Sequence, residues 1–451
     1  MNWASNELTD IDFKDVRLNR RAVRLVEAFS ESMSACIPQN CNGINETHAA
    51  YRFFNNPKVS GSELLRAHSQ ATVERLRAHE VVLAIEDTSF LSYGGKRTKC
   101  ELGPHTKGGE NGISLHACLA VTPEGLNLGV LRTHFWAKPR KLGAKINHRL
   151  RPIEEKESYR WLEGIEHAEG ISGQIDSTRV VYVADRECDI YEVFKRAQEL
   201  DTPWLVRAAY NRNIGEGEKL FSLAMAGDEL GQVSWHMKAR PGRTEREVIQ
   251  TIRSCKIELK APRHLGSDQP TVKVHAVYAT EINPPKGEAP VSWLLLTNIE
   301  VSNLEAAIEK VQWYRCRWQI EVFFKTLKSG CGVEKLQLQS RTGLENAISL
   351  LIIVGWRIQY LTSLARAQSL SSEPCENWLD RQEWEGIWVL QQRSKPPKNP
   401  PSINQIVKML GKLGGHLGRK HDGFPGALPI GRGLSKLYQF IDNSELMRSL
   451  Q

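Results

Sequence analysis

The chain has 451 residues, with 60 Lys plus Arg against 52 Asp plus Glu and a formal net charge of +8; this length supports a large core in two or three domains, and the balance permits a polyanionic partner without requiring one. Nine scattered cysteines without a C-x-x-C pair fit a reducing compartment and argue against a structural zinc site. Residues 1–18 lack the basic and apolar regions of a signal peptide, and no stretch approaches the roughly 20 apolar residues of a membrane helix, residues 348–356 coming nearest, so the expectation is a cytoplasmic protein with no membrane partner.

Residues 1–70 read as short helices. Within them, residues 15–26 alternate basic groups with Val and Leu at near-helical spacing, giving one apolar and one basic face. A solvated surface helix is the default for such a run; a DNA-contacting helix, whose cations neutralise phosphates, is the alternative. Residues 49–54 form a helix stopped by Asn55-Asn56-Pro57. Residues 81–85 are a continuous apolar run, as in a strand buried on both faces, and lead into Glu86-Asp87.

A polar, Gly-rich loop follows over 94–112. Residues 113–121 and 125–135 then read as a hairpin, residues 138–151 as a basic loop, and a helix starts at Glu154 with Trp161 on its inner side. Residues 179–184 repeat the buried-strand pattern and end at Asp185, ahead of a helical run over 188–200; residues 203–207 are a further core strand. Four alternating segments, 246–252, 256–260, 271–280 and 291–299, suggest a small inserted antiparallel sheet. Beyond residue 328, a long helix spans 345–368, Lys395-Pro396-Pro397 begins a clear break, and residues 402–451 carry helix-spaced apolar residues and a Gly-rich turn.

Between these lies the stretch Trp313-Tyr314-Arg315-Cys316-Arg317-Trp318-Gln319-Ile320-Glu321. Read as one helix to Lys328, it places Tyr314, Arg317, Glu321, Lys325 and Lys328 on one stripe, because their spacings are three, four, four and three. A solvated face with i, i+4 ion pairs accounts for the stripe taken alone. The upstream strands change that balance. Two buried strands ending at Asp87 and Asp185 put two carboxylates on one sheet edge, and Glu321 on a helix across that edge adds a third. Three hard oxygen donors suit Mg²⁺ or Mn²⁺, and a metal pair can clamp the attacking and leaving oxygens of a phosphoryl displacement.

The pattern of Tyr314, Arg317, Glu321 and Lys328 resembles the signature of the insertion-sequence-four group of bacterial DDE transposases. Further blocks (AYRFFNNPKVS, LAIEDTSFLSY, ADRECDIY, EINPPKGEAPVSWLLLT, RCRWQIEVFFKTLKSG) resemble those of one transposon's transposase within that group. The resemblance implies an α/β chain: a ribonuclease-H-like catalytic core over 71–365, an antiparallel β insertion at about 210–300, a helical DNA-end-binding domain over 1–70, and a helical dimerisation domain over 366–451. It implies a cut-and-paste transposase in which Asp87, Asp185 and Glu321 hold two Mg²⁺ ions, with Mn²⁺ able to substitute. Arg20, Arg21, Arg24, Arg207, Tyr314, Arg317, Trp318, Lys325 and Lys328 would contact DNA, and Trp293 would stack on a flipped base. The partners would be transposon inverted-repeat ends, target DNA and a second copy of the chain. The rival readings are a metal-dependent nuclease of the same fold, a non-cleaving DNA-end-binding relative, and a sugar hydrolase using paired carboxylates.

Overall fold

A computed structural model describes residues 3–32, 36–94, 101–105, 109–138, 151–215, 217–237, 244–266, 268–367, 369–419 and 422–450. The basic loop expected at 138–151 lies almost entirely outside the described residues, as does much of the 94–112 loop. The chain begins with α1 (Trp3–Glu7), α2 (Val16–Ser32), α3 (Ile44–Phe54) and α4 (Gly61–Leu76), then β1 (Val81–Ser92), β2 (Gly103–Pro104), β3 (Asn111–Val121) and β4 (Asn127–Trp136). Next come α5 (Tyr159–Ser172), β5 (Arg179–Ala184), α6 (Tyr191–Leu200), β6 (Trp204–Arg207), β7 (Asn213–Gly215), β8 (Glu218–Lys219) and α7 (Leu220–Ala226). Strands β9 (Asp228–Met237), β10 (Arg246–Leu259), β11 (Val272–Glu281) and β12 (Ser292–Thr297) precede α8 (Leu304–Cys316), α9 (Trp318–Lys325), α10 (Arg341–Leu364), α11 (Arg381–Gln392), α12 (Ile403–Leu413) and α13 (Ala427–Ser449).

These elements form two compact units. The first comprises Met1–Arg77, Thr88–Leu142 and Gln319–Gln451; the second comprises Ala78–Asp87 and Gly143–Trp318. The first unit is built on α10, a 24-residue helix buried almost all round. Its length and mean hydropathy of 1.5 would suit a membrane span, but 94% of that apolar window is buried inside the protein, which makes it a core helix. Ser340 caps its start by accepting from the Gly343 N–H. Helix α4 and strand β4 pack on it, and beneath them Glu7, His68 and Arg75 form a buried network. The His68 Nε2 accepts from the Val130 N–H at 2.9 Å, so its Nδ1 donates to Glu7 at 2.6 Å. Burial pushes the Glu7 carboxyl up, but Arg75 and His68 outweigh it and bring the pKa to about 2. The apolar face of α2, with Leu25, Val26 and Phe29, is buried as its periodicity predicts, and α13 packs against it.

In the second unit, the first half of β1 pairs in parallel with β5, and β5 with β6. The sheet continues through antiparallel β12, β11, β10 and β9. The inserted antiparallel strands expected ahead of α8 are present, and through the β12–β6 pairing they extend the core sheet. Residues 246–252 and 256–260 are one strand, β10, with a bulge at Ile252/Arg253 against β9. Strand β9 was not anticipated. Helix α5 begins at Tyr159 rather than Glu154, which lies in a short 3₁₀ turn, and Trp161 is buried on its inner face. Phe194 of α6 stacks flat on Trp204 of β6, ring centroids 4.3 Å apart, fixing helix to sheet.

Candidate active site

The β1–β5 register runs from Val81↔Arg179 to Glu86↔Ala184, so Asp87 and Asp185 are the next residue on each of two adjacent parallel strands. At the usual strand spacing of about 4.8 Å, their backbones are neighbours on the carboxyl edge, where α/β sheets hold their ligands. Strand β5 stops there. Asp185 accepts from the Glu187 N–H at 2.8 Å and caps the turn that follows. Strand β1 does not stop, contrary to expectation, but continues to Ser92; only its pairing with β5 ends before Asp87.

Strand alternation separates Glu86 from Asp87. Glu86 is buried, accepts from the Tyr182 hydroxyl at 2.7 Å, and faces Gly164 of α5. A Cβ on Gly164 would stand 2.1 Å from Glu86 Oε2, so the helix approaches this carboxyl only because glycine leaves the room. The partly exposed Asp87 takes a different partner: its Oδ2 accepts from Arg317 Nη1 at 2.9 Å.

Around Arg317 stands an aromatic and cationic group. Its guanidinium lies 5.9 Å from the centre of the Tyr314 ring. Tyr314 meets Trp293 edge-on, centroids 5.6 Å apart, and Trp293 is stacked on Trp235 at 5.8 Å and 17°. Arg207, at the end of β6, donates to the Ser292 carbonyl at 3.0 Å and faces the Tyr314 hydroxyl. Burial raises the Tyr314 pKa against the lowering effect of Arg317 and Arg207, and burial likewise lowers that of Arg207. The structure thus brings Asp87, Asp185, Arg207, Trp293, Tyr314 and Arg317 into one unit and links the last four side by side.

The single helix expected from Trp313 to Lys328 is corrected. Helix α8 ends at Cys316, the Arg317 N–H bonds back to the Tyr314 carbonyl at 3.1 Å, α9 restarts at Trp318, and a wide turn over Thr326–Gly330 carries Lys328. Tyr314 is buried rather than on a solvent stripe, because Trp293 covers it. Trp318 is 51% exposed. Glu321 and the exposed Lys325, on α9, belong to the first unit, as does Lys328, whose Nζ is 4.0 Å from Glu334 Oε1. On α2, Arg20 and Arg24 are exposed, whereas Arg21 is paired with Glu46. Two supporting residues had no signal in sequence: Trp235, and the buried Gln250, which accepts from the Trp235 indole at 2.9 Å and donates to the Val291 carbonyl at 3.0 Å.

Three family models match the chain: transposase DNA-binding over residues 1–59, transposase DDE domain over 159–355, and transposase Tn5 dimerisation domain over 353–451. The chain belongs to the DDE transposases. It is Tn5-like, as the resemblance of its sequence blocks implies, and the strand pairings around β1, β5 and β6 are those of a ribonuclease-H-like core. A solved piggyBac transposase synaptic complex with hairpin DNA aligns at 12% identity and a TM-score of 0.32, covering 64% of this chain and 48% of that one. The transposase therefore spans about half the length of that relative, and the likeness is too low to carry an argument. A DDE domain implies, for its family, a divalent-metal dependence.

The residues present fit such an ion in their chemistry. Asp87 and Asp185 offer hard, anionic oxygens on adjacent strands where the β1–β5 pairing ends, and in the protein alone Arg317 occupies one oxygen of Asp87. Among the described residues, no three His, Cys, Asp or Glu side chains gather into a metal-holding group.

Proposed function

We propose that this transposase works by cut-and-paste: it binds the inverted-repeat ends of its element, nicks them, forms a hairpin by attack of the freed 3′-hydroxyl, reopens it, and joins the 3′ ends to target DNA. The observation that carries the reading is that Asp87 and Asp185 are the next residues on adjacent strands where the β1–β5 pairing ends, in a chain matched by DNA-binding, DDE and dimerisation models. Asp87, Asp185 and Glu321 are the proposed holders of two divalent ions, Mg²⁺ with Mn²⁺ able to substitute. The chemistry such ions supply is activation of the attacking oxygen and neutralisation of charge on the leaving one.

The protein's own groups position the DNA. Arg207, Tyr314, Arg317, Lys325 and Lys328 bind phosphates of the end, Trp318 lies against the same DNA, Trp293 stacks on an extruded base, and Arg20, Arg21 and Arg24 of α2 neutralise backbone phosphates farther in. Arg317 has two anionic partners to serve: in the protein alone it holds Asp87, and on DNA it turns to a phosphate, leaving the carboxylate to a metal ion. The assembly is a homodimer bridging two ends, acting in the bacterial cytoplasm on chromosomal or plasmid DNA.

The test is incubation of the purified protein with Mg²⁺ and linear DNA carrying the repeats that flank its gene, read on a denaturing gel. Nicks at the repeat boundary followed by hairpinned ends are the expected result. Retention of the ends with no cleavage in Mg²⁺ or Mn²⁺ would replace this reading with a binding-only relative, and cleavage indifferent to the repeats with a nuclease.

A further inference from the structure

The second unit holds a concave site that the proposed chemistry does not use. A cavity of about 830 Å³ is walled by four separate stretches: the turn before α5, the link from β5 to α6, the loop after β6, and the connection from β10 to β11. Sites for small organic ligands are mostly apolar with a few placed polar groups. This one has apolar walls at Ile153, Ile190, Tyr191 and Pro262, and its polar groups are mainly cationic: Lys156, Lys260, Arg263 and His264. Among the described residues, no ion pair holds Lys156, Lys260 or Arg263.

A further cation, Arg212, is fixed in the wall by Asp189, whose side chain is fully buried. Asp189 also accepts from the backbone N–H groups of Ala209 at 2.7 Å and Tyr210 at 3.0 Å. The loop is thereby held with the Tyr210 ring 64% exposed at the cavity. Glu192 is the one acidic wall residue left without a basic partner among the described residues.

Its place in the fold connects the cavity to the catalytic edge. Residues 185–190 run from Asp185 directly into the wall, and residues 207–212 run from Arg207 to Tyr210 and Arg212. Like charges gathered without partners repel one another, and a polyanion relieves that repulsion while releasing its own counterions. We propose that this cleft is a second DNA-backbone subsite. It holds phosphates of the duplex beyond the cleaved position through Lys156, Lys260 and Arg263, with the Tyr210 ring against the sugar-base edge. The proposal rests on the transposase reading for which duplex it is, and the two candidate duplexes are the DNA flanking the element and the target.

The experiment compares full-length wild type with the Lys260→Gln/Arg263→Gln pair and with Lys156→Gln, all at exposed or half-exposed positions. Kd is measured from about 50 to 200 mM salt on three substrates: a repeat end cut at the boundary, the same end with flanking DNA, and a target duplex offered to the pre-formed end complex. The slope of log Kd on log salt should fall by about two for the double variant, with about tenfold weaker binding, on the substrate whose phosphates reach the cleft. Loss on the flanked end alone assigns flanking DNA, loss on the third alone assigns target, and equal loss on the end cut at the boundary overturns a site beyond the cleaved position. The charge-keeping Lys260→Arg/Arg263→Lys pair should restore the slope. An unchanged slope on every substrate overturns the proposal. Failure of the wild type to prefer repeat ends over a scrambled duplex would instead sink the transposase reading, leaving the slope comparison on any duplex to judge the cleft.

Discussion

Arg317 and Asp87 meet at 2.9 Å with side chains only 15% and 18% exposed, a degree of burial at which an ion pair is shielded from salt but still solvated. A pair of this kind is worth about 1 kcal/mol, so a cation competing for Asp87 does so against that contact. Arg317→Gln should therefore raise the affinity of the DNA-free protein for Mn²⁺ about fivefold, measured by electron paramagnetic resonance of the free ion, while weakening end binding. Unchanged Mn²⁺ affinity, with Asp87→Asn abolishing it, would show that Arg317 and the metal do not share the carboxylate. Glu321→Ala should abolish cleavage and leave end binding intact on a mobility-shift gel; full cleavage in Mg²⁺ would remove Glu321 from the ligand set. The neighbouring Gly164 gives a structural control. Gly164→Ala drives a methyl into the Glu86 carboxyl that Tyr182 holds, and should cost about 1–3 kcal/mol in urea unfolding.

At the scale of elements, α2 and α13 carry a titratable contact. Burial pushes the Glu31 pKa up to about 7, with Asp442 of α13 and Glu27 adding to the shift. The folded pKa lies above the unfolded one, so the contact's stability is complete below about pH 4.5 and is lost as pH rises through 7. Glu31→Gln should accordingly raise the melting temperature at pH 8, by an amount equivalent to about 1 kcal/mol after discounting for solvent screening, and change almost nothing at about pH 3.5, below the unfolded pKa. What the sequence could tell of these elements follows from where each is buried. The apolar runs at β1 and β5 are legible because both faces are covered, and α2 because one is. Strand β9 is not: its ten residues are mostly exposed or half-exposed, with polar groups and Gly231 in place of apolar alternation. The break at Arg317 is equally invisible, since the helical period passes through it and only the packing of Tyr314 under Trp293 reveals it. Asp185 is readable as a strand-end acid, Asp87 lies within β1 because the strand runs on past its pairing with β5, and Trp235 and Gln250 become meaningful only once β9, β10 and β12 are paired.

For the molecule as a whole, the segment matched as a dimerisation domain includes α13, whose Leu446 and Met447 are 58% and 60% exposed. Leu446→Ser/Met447→Ser should leave the melting temperature unchanged and weaken the paired-end complex about tenfold, measured by analytical ultracentrifugation with end DNA; an unaltered complex would move the dimer contact elsewhere.

The pairing of β12 with β6 carries a geometric consequence. Trp293 on β12 and the strands that end at Arg207 and Asp185 share one hydrogen-bonded ladder, fixed by Leu295↔Arg207 and Thr297↔Leu205. A sheet of this kind acts as a ruler. Sliding β12 by one residue would turn Trp293 to the other face, and sliding it by two would displace the ring by roughly 6.6 Å, about two nucleotide steps along a strand. On the proposed reading, in which Trp293 stacks on an extruded base, the distance from that base to the cut is written in strand register, and every end should be severed the same number of nucleotides from it.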